Sequence, residues 1–248
     1  MATKAPKKTP AKKRTSRADK AKAADIVLIE IPPIEVGVLR VRVEGISPLI
    51  CHQFSEKTKQ ILIQKAMRTA TKQREPKDPE AEFQGARYRI DRKGKYVKNP
   101  GKQKLADAVP ARYFKEAMVQ AARHVPSISM VEAQQLAYIS PNAQGIPIET
   151  RNGKGWITYG IDVQPEIDES VQRVGGKGPG TGAPDIRYRP VYDPWSCLVE
   201  VHFNAKLLGE SQIVALLNYA GFHAGVCEHR PSKSRSGQNG MFRVTEVS

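Results

Sequence analysis

A strand-like run leading within a few residues into a helix-like run occurs twice in this chain, far apart, and a last strand-like run follows the second copy. The first copy is "GVLRVRVEG" (Gly37 to Gly45), continuing through "ISPLICHQF" into "SEKTKQILIQKAMRTA". Leu39, Val41 and Val43 alternate with Arg40, Arg42 and Glu44, as a strand with one buried face requires. In the helix-like run, which opens at Ser55, Leu62, Ala66, Met67 and Ala70 share one face. The second copy is "WSCLVEVHFN", with Cys197, Val199, Val201 and Phe203 in alternation, followed by "GESQIVALLNYAG". There Ile213, Val214, Leu217 and Ala220 face inward and Gly221 is placed to end the helix. "MFRVTEV" closes the pattern as a strand. Two such halves, the second completed by a strand, predict an α+β fold: a ferredoxin-like (RRM-like) antiparallel sheet with helices on one face. Residues 26–248 then form a single domain with a large insertion over about 71–190.

Within the insertion, "PARYFKEAMVQAARHV" is the clearest helix. Pro110 suits its first position, and Phe114, Ala117, Met118, Ala121 and Ala122 make a continuous apolar stripe. "ISMVEAQQLAYI" and "GIPIE" read as strands, with "WITYGIDVQ" after them. "RVGGKGPGTGAPDIRYRP" holds five glycines within eight residues and predicts a mobile loop. The acids Asp162, Glu166, Asp168 and Glu169 read as part of a solvated loop.

Charge narrows the function. The net charge is +15, and the first 24 residues hold nine Lys/Arg against one acid, which leaves +7 on the rest. A Lys/Ala/Pro/Thr arm lacks the apolar surface to offset ordering entropy, so residues 1–25 are expected to be disordered and to seek polyanions. A body that remains basic points to nucleic acid. No apolar run approaches a membrane span, and the basic arm has no apolar segment behind it, so neither a membrane protein nor a secretory signal is expected. Three scattered cysteines, Cys51, Cys197 and Cys227, suit a reducing cytoplasm.

The candidate interface gathers three groups of residues. Arg40 and Arg42 on the first strand and Arg243 on the last share the polar face of the predicted sheet, where cations can meet phosphates. "GVCEHRPSKSRSGQNGMFRV" (Gly225 to Val244) offers Gly225, Gly237 and Gly240 for backbone anion nests, with Arg230, Lys233 and Arg235 supplying charge. In the glycine-rich loop Lys177, Arg187 and Arg189 would lie on the track, with Tyr188 stacking on a base. His223, Cys227 and His229 lack a fourth zinc partner, and "VGGKGPGTG" is not followed by Lys-Ser/Thr. No metal, cofactor or small-molecule substrate is therefore expected.

A glycine-rich loop between the last helix and last strand of a ferredoxin-like fold resembles the RAMP superfamily, the CRISPR-associated proteins that bind or process guide RNA. Its pattern is a glycine, basic residues, then Gly-x-Gly and an apolar strand. Gly225, Arg230, Lys233, Gly237, Gly240 and Phe242 approximate it, with Gly237 to Gly240 one residue wider. "ISPLICHQFSEK", "DIRYRP" and "AGFHAGVCEHRPSKSRSGQNGMFRV" are also similar to a widespread set of bacteriophage proteins of unassigned role. The resemblance implies a subunit that coats single-stranded nucleic acid and polymerises along it, in the host cytoplasm if phage-encoded. The expected function is non-catalytic, sequence-independent binding of a single strand, RNA in preference to ssDNA. The alternative is a metal-independent endoribonuclease in which His52, with His229 or Lys233, assists attack of a 2′-hydroxyl. A second is a DNA-compacting or strand-annealing phage protein.

Overall fold

The computed structural model describes residues 33–54, 56–68, 77–97, 101, 103–153, 155–175 and 182–248. The basic arm and Lys177 lie outside these residues. Glu35–Ser248 form one compact unit. It is mixed α/β, built on antiparallel sheets.

Alternation sets the central strand. In β1 (Val36–Gly45) Leu39, Val41 and Val43 are buried while Arg40 faces out. The strand that pairs with it over its whole length is β11 (Ser196–Asn204), from Val36↔Asn204 to Glu44↔Ser196. Cys197, Val199, Val201 and Phe203 of β11 turn to the same buried side. The other edge of β1 takes β12 (Phe242–Val247), antiparallel and with a bulge beside Arg42 and Val43.

Two helices cover the apolar face. In α3 (Ala111–Ala121) Phe114, Ala117, Met118 and Ala121 are buried; in α5 (Glu210–Tyr219) Ile213, Leu216 and Leu217 are. They join the sheet residues in one core, with Phe114 edge-on to Phe242 at 5.5 Å. Burying a large apolar side chain contributes about 1.5–3 kcal/mol, so this stripe-on-stripe contact fixes the layer. After α3 the chain makes α4 (Met130–Leu136) and β5 (Ala137–Ile139), which pairs with the far edge of β11 over Val201–Phe203. β7 (Glu149–Asn152) meets the same edge at Ser196 and forms a hairpin with β8 (Gly155–Thr158).

The expected first helix is not the one on the sheet. α1 (Glu56–Ala66) leaves Leu62, Ile63 and, just beyond it, Met67 exposed, and α3 occupies the place beside the core. Part of the predicted insertion is thus core. Nor is "ISMVEAQQLAYI" one strand. The Ser129 hydroxyl accepts from the Glu132 N–H at 3.2 Å and the Glu132 carboxylate accepts from the Ser129 N–H at 2.7 Å. This reciprocal cap starts α4 and overrides the local alternation.

The glycine-rich stretch is strand over its described part. β9 (Glu166–Gly175) and β10 (Gly182–Tyr192) pair from Gly175↔Gly182 to Glu166↔Val191. β2 (Leu49–Ile50) joins the base of this hairpin at Val191 and Tyr192. Glu166, Asp168 and Glu169 therefore stand on a strand rather than in a loop, while Asp162 sits in a turn and accepts from the Thr158 N–H. A third small sheet joins β3 (Arg89–Ile90), β4 (Ala106–Pro110) and β6 (Gly145–Pro147). α2 (Pro79–Ala86), capped by the Asp78 carboxylate, precedes it. Among the described residues no helix is long and apolar enough to cross a membrane.

Candidate nucleic-acid interface

The loop after α5 is folded onto itself. A π-helical turn, Ala220–Ala224, ends at Gly225, and from there the chain doubles back. The Val226 N–H donates to Gly240 O at 2.9 Å, Asn239 N–H to His229 O at 3.2 Å and Glu228 N–H to Ile50 O at 3.0 Å. Val226 and Cys227 are buried, and the Cys227 thiol lies 3.3 Å from that of Cys51. Glycine at 237 lets the chain pass within contact of two carbonyls, since a Cβ there would sit 2.4 Å from His229 O and Arg230 O. The nest expected of Gly225, Gly237 and Gly240 is therefore corrected. The N–H groups of Gly225, Gly237 and Gly240 donate to internal carbonyls, so these glycines shape the loop instead of presenting a concavity of free donors.

The loop's cations differ in availability. Arg230 is turned inward, donating to Cys227 O at 2.9 Å and the Ser232 hydroxyl at 3.1 Å, with Glu116 of α3 at 3.8 Å. Lys233 is exposed and 3.8 Å from Glu228. Arg235 and Arg243 are exposed and have no ion-pair partner among the described residues.

The open sheet face is not a cationic track. Arg42 is 8% exposed. It is held by Glu149 at 2.8 Å, Ser196 at 3.3 Å and Glu246 at 3.3 Å, with the Trp156 ring 3.9 Å away. Arg40 pairs with Glu200 at 3.3 Å, and Arg243 stands opposite Glu44 in the register. Carboxylates interleave the cations because opposite charges on neighbouring strands stabilise the pairing. Arg42 is thus a structural residue, not a phosphate contact.

The hairpin corrects a second group. Arg189 is 1% exposed and bound to Asp168 at 2.5 Å and the Ser170 hydroxyl at 2.7 Å. Arg187 lies 3.7 Å from Asp185, which also receives Lys77 at 2.6 Å. Strand alternation sends Tyr188 to the opposite side of β10 from both arginines.

His52 follows β2, and its imidazole is held near pKa 4, first by burial and then by the Arg187 guanidinium. A base that weak is poorly matched to proton abstraction at neutral pH. His229 meets the Gln172 amide at 2.8 Å, and Lys233 is engaged with Glu228. Two of the three residues of the endoribonuclease alternative, His229 and Lys233, thus have partners of their own.

The His52 shift makes one prediction. The unfolded imidazole takes up a proton below about pH 6.5, while the folded one stays neutral until about 4. Its stability contribution is complete above the unfolded value and is lost as pH falls through this window. The total is at most about 3 kcal/mol. His52→Gln should flatten that decline, read as urea midpoints compared near neutrality and at about pH 4.5.

Sequence reading missed a cleft of about 450 Å³ between β3, β5 and the start of α3. Tyr88, Tyr96 and Tyr138 line it together with Arg112, Lys115 and Gln144. These residues come from separate segments, so no local motif marks them. No protein-family model matches the chain, and no curated protein matches it.

Proposed function

We propose that this protein binds single-stranded nucleic acid, RNA in preference to ssDNA, through phosphate contacts and without cleaving it. The observation that carries this reading is an excess of positive charge beyond the basic arm, with exposed cations at Lys233, Arg235 and Arg243 on and beside one ordered loop. The element order supports the ferredoxin-like part of the reading. β1, α3, β5, β11, α5 and β12 run in sequence, and β12, β1, β11 and β5 lie side by side in space. That arrangement and the loop position favour a RAMP-like strand-coating subunit working in a cytoplasm. The weak His52 base argues against the endoribonuclease alternative.

The test is binding of the full chain to labelled oligo-U, oligo-dT and duplex DNA across a salt series. Affinity for the single strand should fall steeply and linearly on logarithmic axes as counterions are released. Lys233→Glu and Arg235→Glu, with the basic arm intact, should each lower the slope by about one. A slope unchanged by both reversals assigns binding to the arm alone and overturns the reading.

A further inference from the structure

We infer that the tyrosine cleft at the start of α3 is a base-stacking subsite for one nucleotide of the bound strand. The inference rests on the strand-binding reading and adds the place where a base is held. Tyr88 and Tyr96 stand side by side, ring centres 5.6 Å apart and tilted by 42°. Both are fixed: the Tyr88 hydroxyl is 3.1 Å from that of Tyr113, and the Tyr96 hydroxyl donates to Gln144 O at 2.8 Å. Tyr138 enters from β5 and is 55% exposed, so one ring face is available to a planar ligand.

Charge selects the class of ligand. Two lining residues, Arg112 and Lys115, are cationic and none is acidic. The Lys115 ammonium donates to the carbonyls of Ala133, Gln134 and Ala137. Its donors are spent on closing α4, and its charge remains in the cleft wall 5.1 Å from the Tyr138 ring centre. Arg112 is exposed, with no carboxylate at ion-pair distance among the described residues, and stands in the first turn of α3. The cap at Pro110 provides no side-chain acceptor there, so the helix end adds to the positive potential. Gln144 uses its carbonyl oxygen on the Tyr96 N–H, leaving its amide nitrogen as a donor at the rim.

Aromatic walls alone would suit any apolar ring, and a cation alone any anion. Fixed rings, an exposed guanidinium that rests on Tyr113 and no carboxylate in the lining together match a nucleobase joined to a phosphate. The location favours a nucleotide within a strand over a free one. Glu116, one helical turn beyond Arg112, approaches Arg230, so the cleft and the glycine-containing loop lie along the same helix.

The experiment uses the full chain with oligo-U carrying a single photoreactive 4-thiouridine, alongside uridine monophosphate as competitor. Crosslinks should map to Tyr96 or Tyr138. Tyr138→Ala should bind oligo-U about tenfold more weakly, while Tyr138→Phe, which keeps the ring, should bind like wild type. Arg112→Gln should weaken binding and lower the salt slope. Wild-type affinity in both Tyr138→Ala and Arg112→Gln overturns the cleft and leaves the strand-binding reading standing. Failure of the wild-type chain to bind oligo-U at all removes both. Full displacement of the strand by equimolar uridine monophosphate would overturn the commitment to a strand.

Discussion

Replacing Gly240 by alanine should unfold the C-terminal loop and take much of the domain with it. Gly240 has φ +66°, where a Cβ costs about 1–2 kcal/mol from backbone strain alone. The larger cost is steric, because that Cβ would lie 1.9 Å from the Val226 carbonyl oxygen. The backbone cannot give way cheaply. Gly240 N–H donates to Pro48 O at 2.8 Å, and its own carbonyl accepts from Val226 N–H. Moving it would break both bonds and uncover Val226 and Cys227, which are buried against the core. Gly153 supplies the control, with φ +61° and open space where a Cβ would go. Gly153→Ala should show only the strain. Gly240→Ala should lose at least about 3 kcal/mol, the scale of a disrupted core site, or fail to accumulate as soluble protein. Equal urea midpoints for the two variants would refute the close-approach account.

Arg87→Met should be nearly as damaging, through electrostatics. Asp107 of β4 is 0% exposed and receives the Arg87 guanidinium from two nitrogens, at 2.8–3.1 Å. Burial already raises the Asp107 pKa, and the hydrogen bonds and charge of Arg87 oppose that rise. Removing the arginine leaves a carboxylate without its counter-charge in the interior, a change that costs about 3–5 kcal/mol. The sign of the pH dependence follows. A carboxyl whose folded pKa is raised favours folding below its unfolded value and loses that contribution as pH rises through the folded one. The variant should therefore recover part of its stability on acidification, and the double variant Arg87→Met/Asp107→Leu should recover most of it at any pH. Chemical denaturation of the four proteins of that cycle, near neutrality and near pH 5, reads the coupling directly.

Period-2 alternation identified β1 and β11 because each has one face in the core and one in solvent. Likewise the stripe of Phe114, Ala117 and Met118 marked α3 as a buried-face helix. Which helix would pack on β1 was not legible. The 56–66 and 111–121 segments are both amphipathic, and only tertiary contacts choose between them. Pairing was equally hidden. Arg42 and Arg189 look like surface cations in sequence, yet their carboxylate partners Glu149, Glu246 and Asp168 arrive from other strands. The tyrosine cleft has the same cause, since Tyr88, Tyr96 and Tyr138 meet only after the chain returns past β3. The capping box at Ser129 is a missed local signal, because Ser-x-x-Glu stood in the sequence and the alternation around it drew the assignment to a strand.

The position of β1 between β11 and β12 has a consequence for biosynthesis. The contact of Arg40 with Glu200 spans 160 positions and that of Arg42 with Thr245 spans 203. While the ribosome is still adding residues before 196, β1 emerges with both edges open and its valines uncovered. Closing such distant partners is slow relative to helix formation, and an unpaired apolar strand is the state that chaperones capture and aggregates recruit.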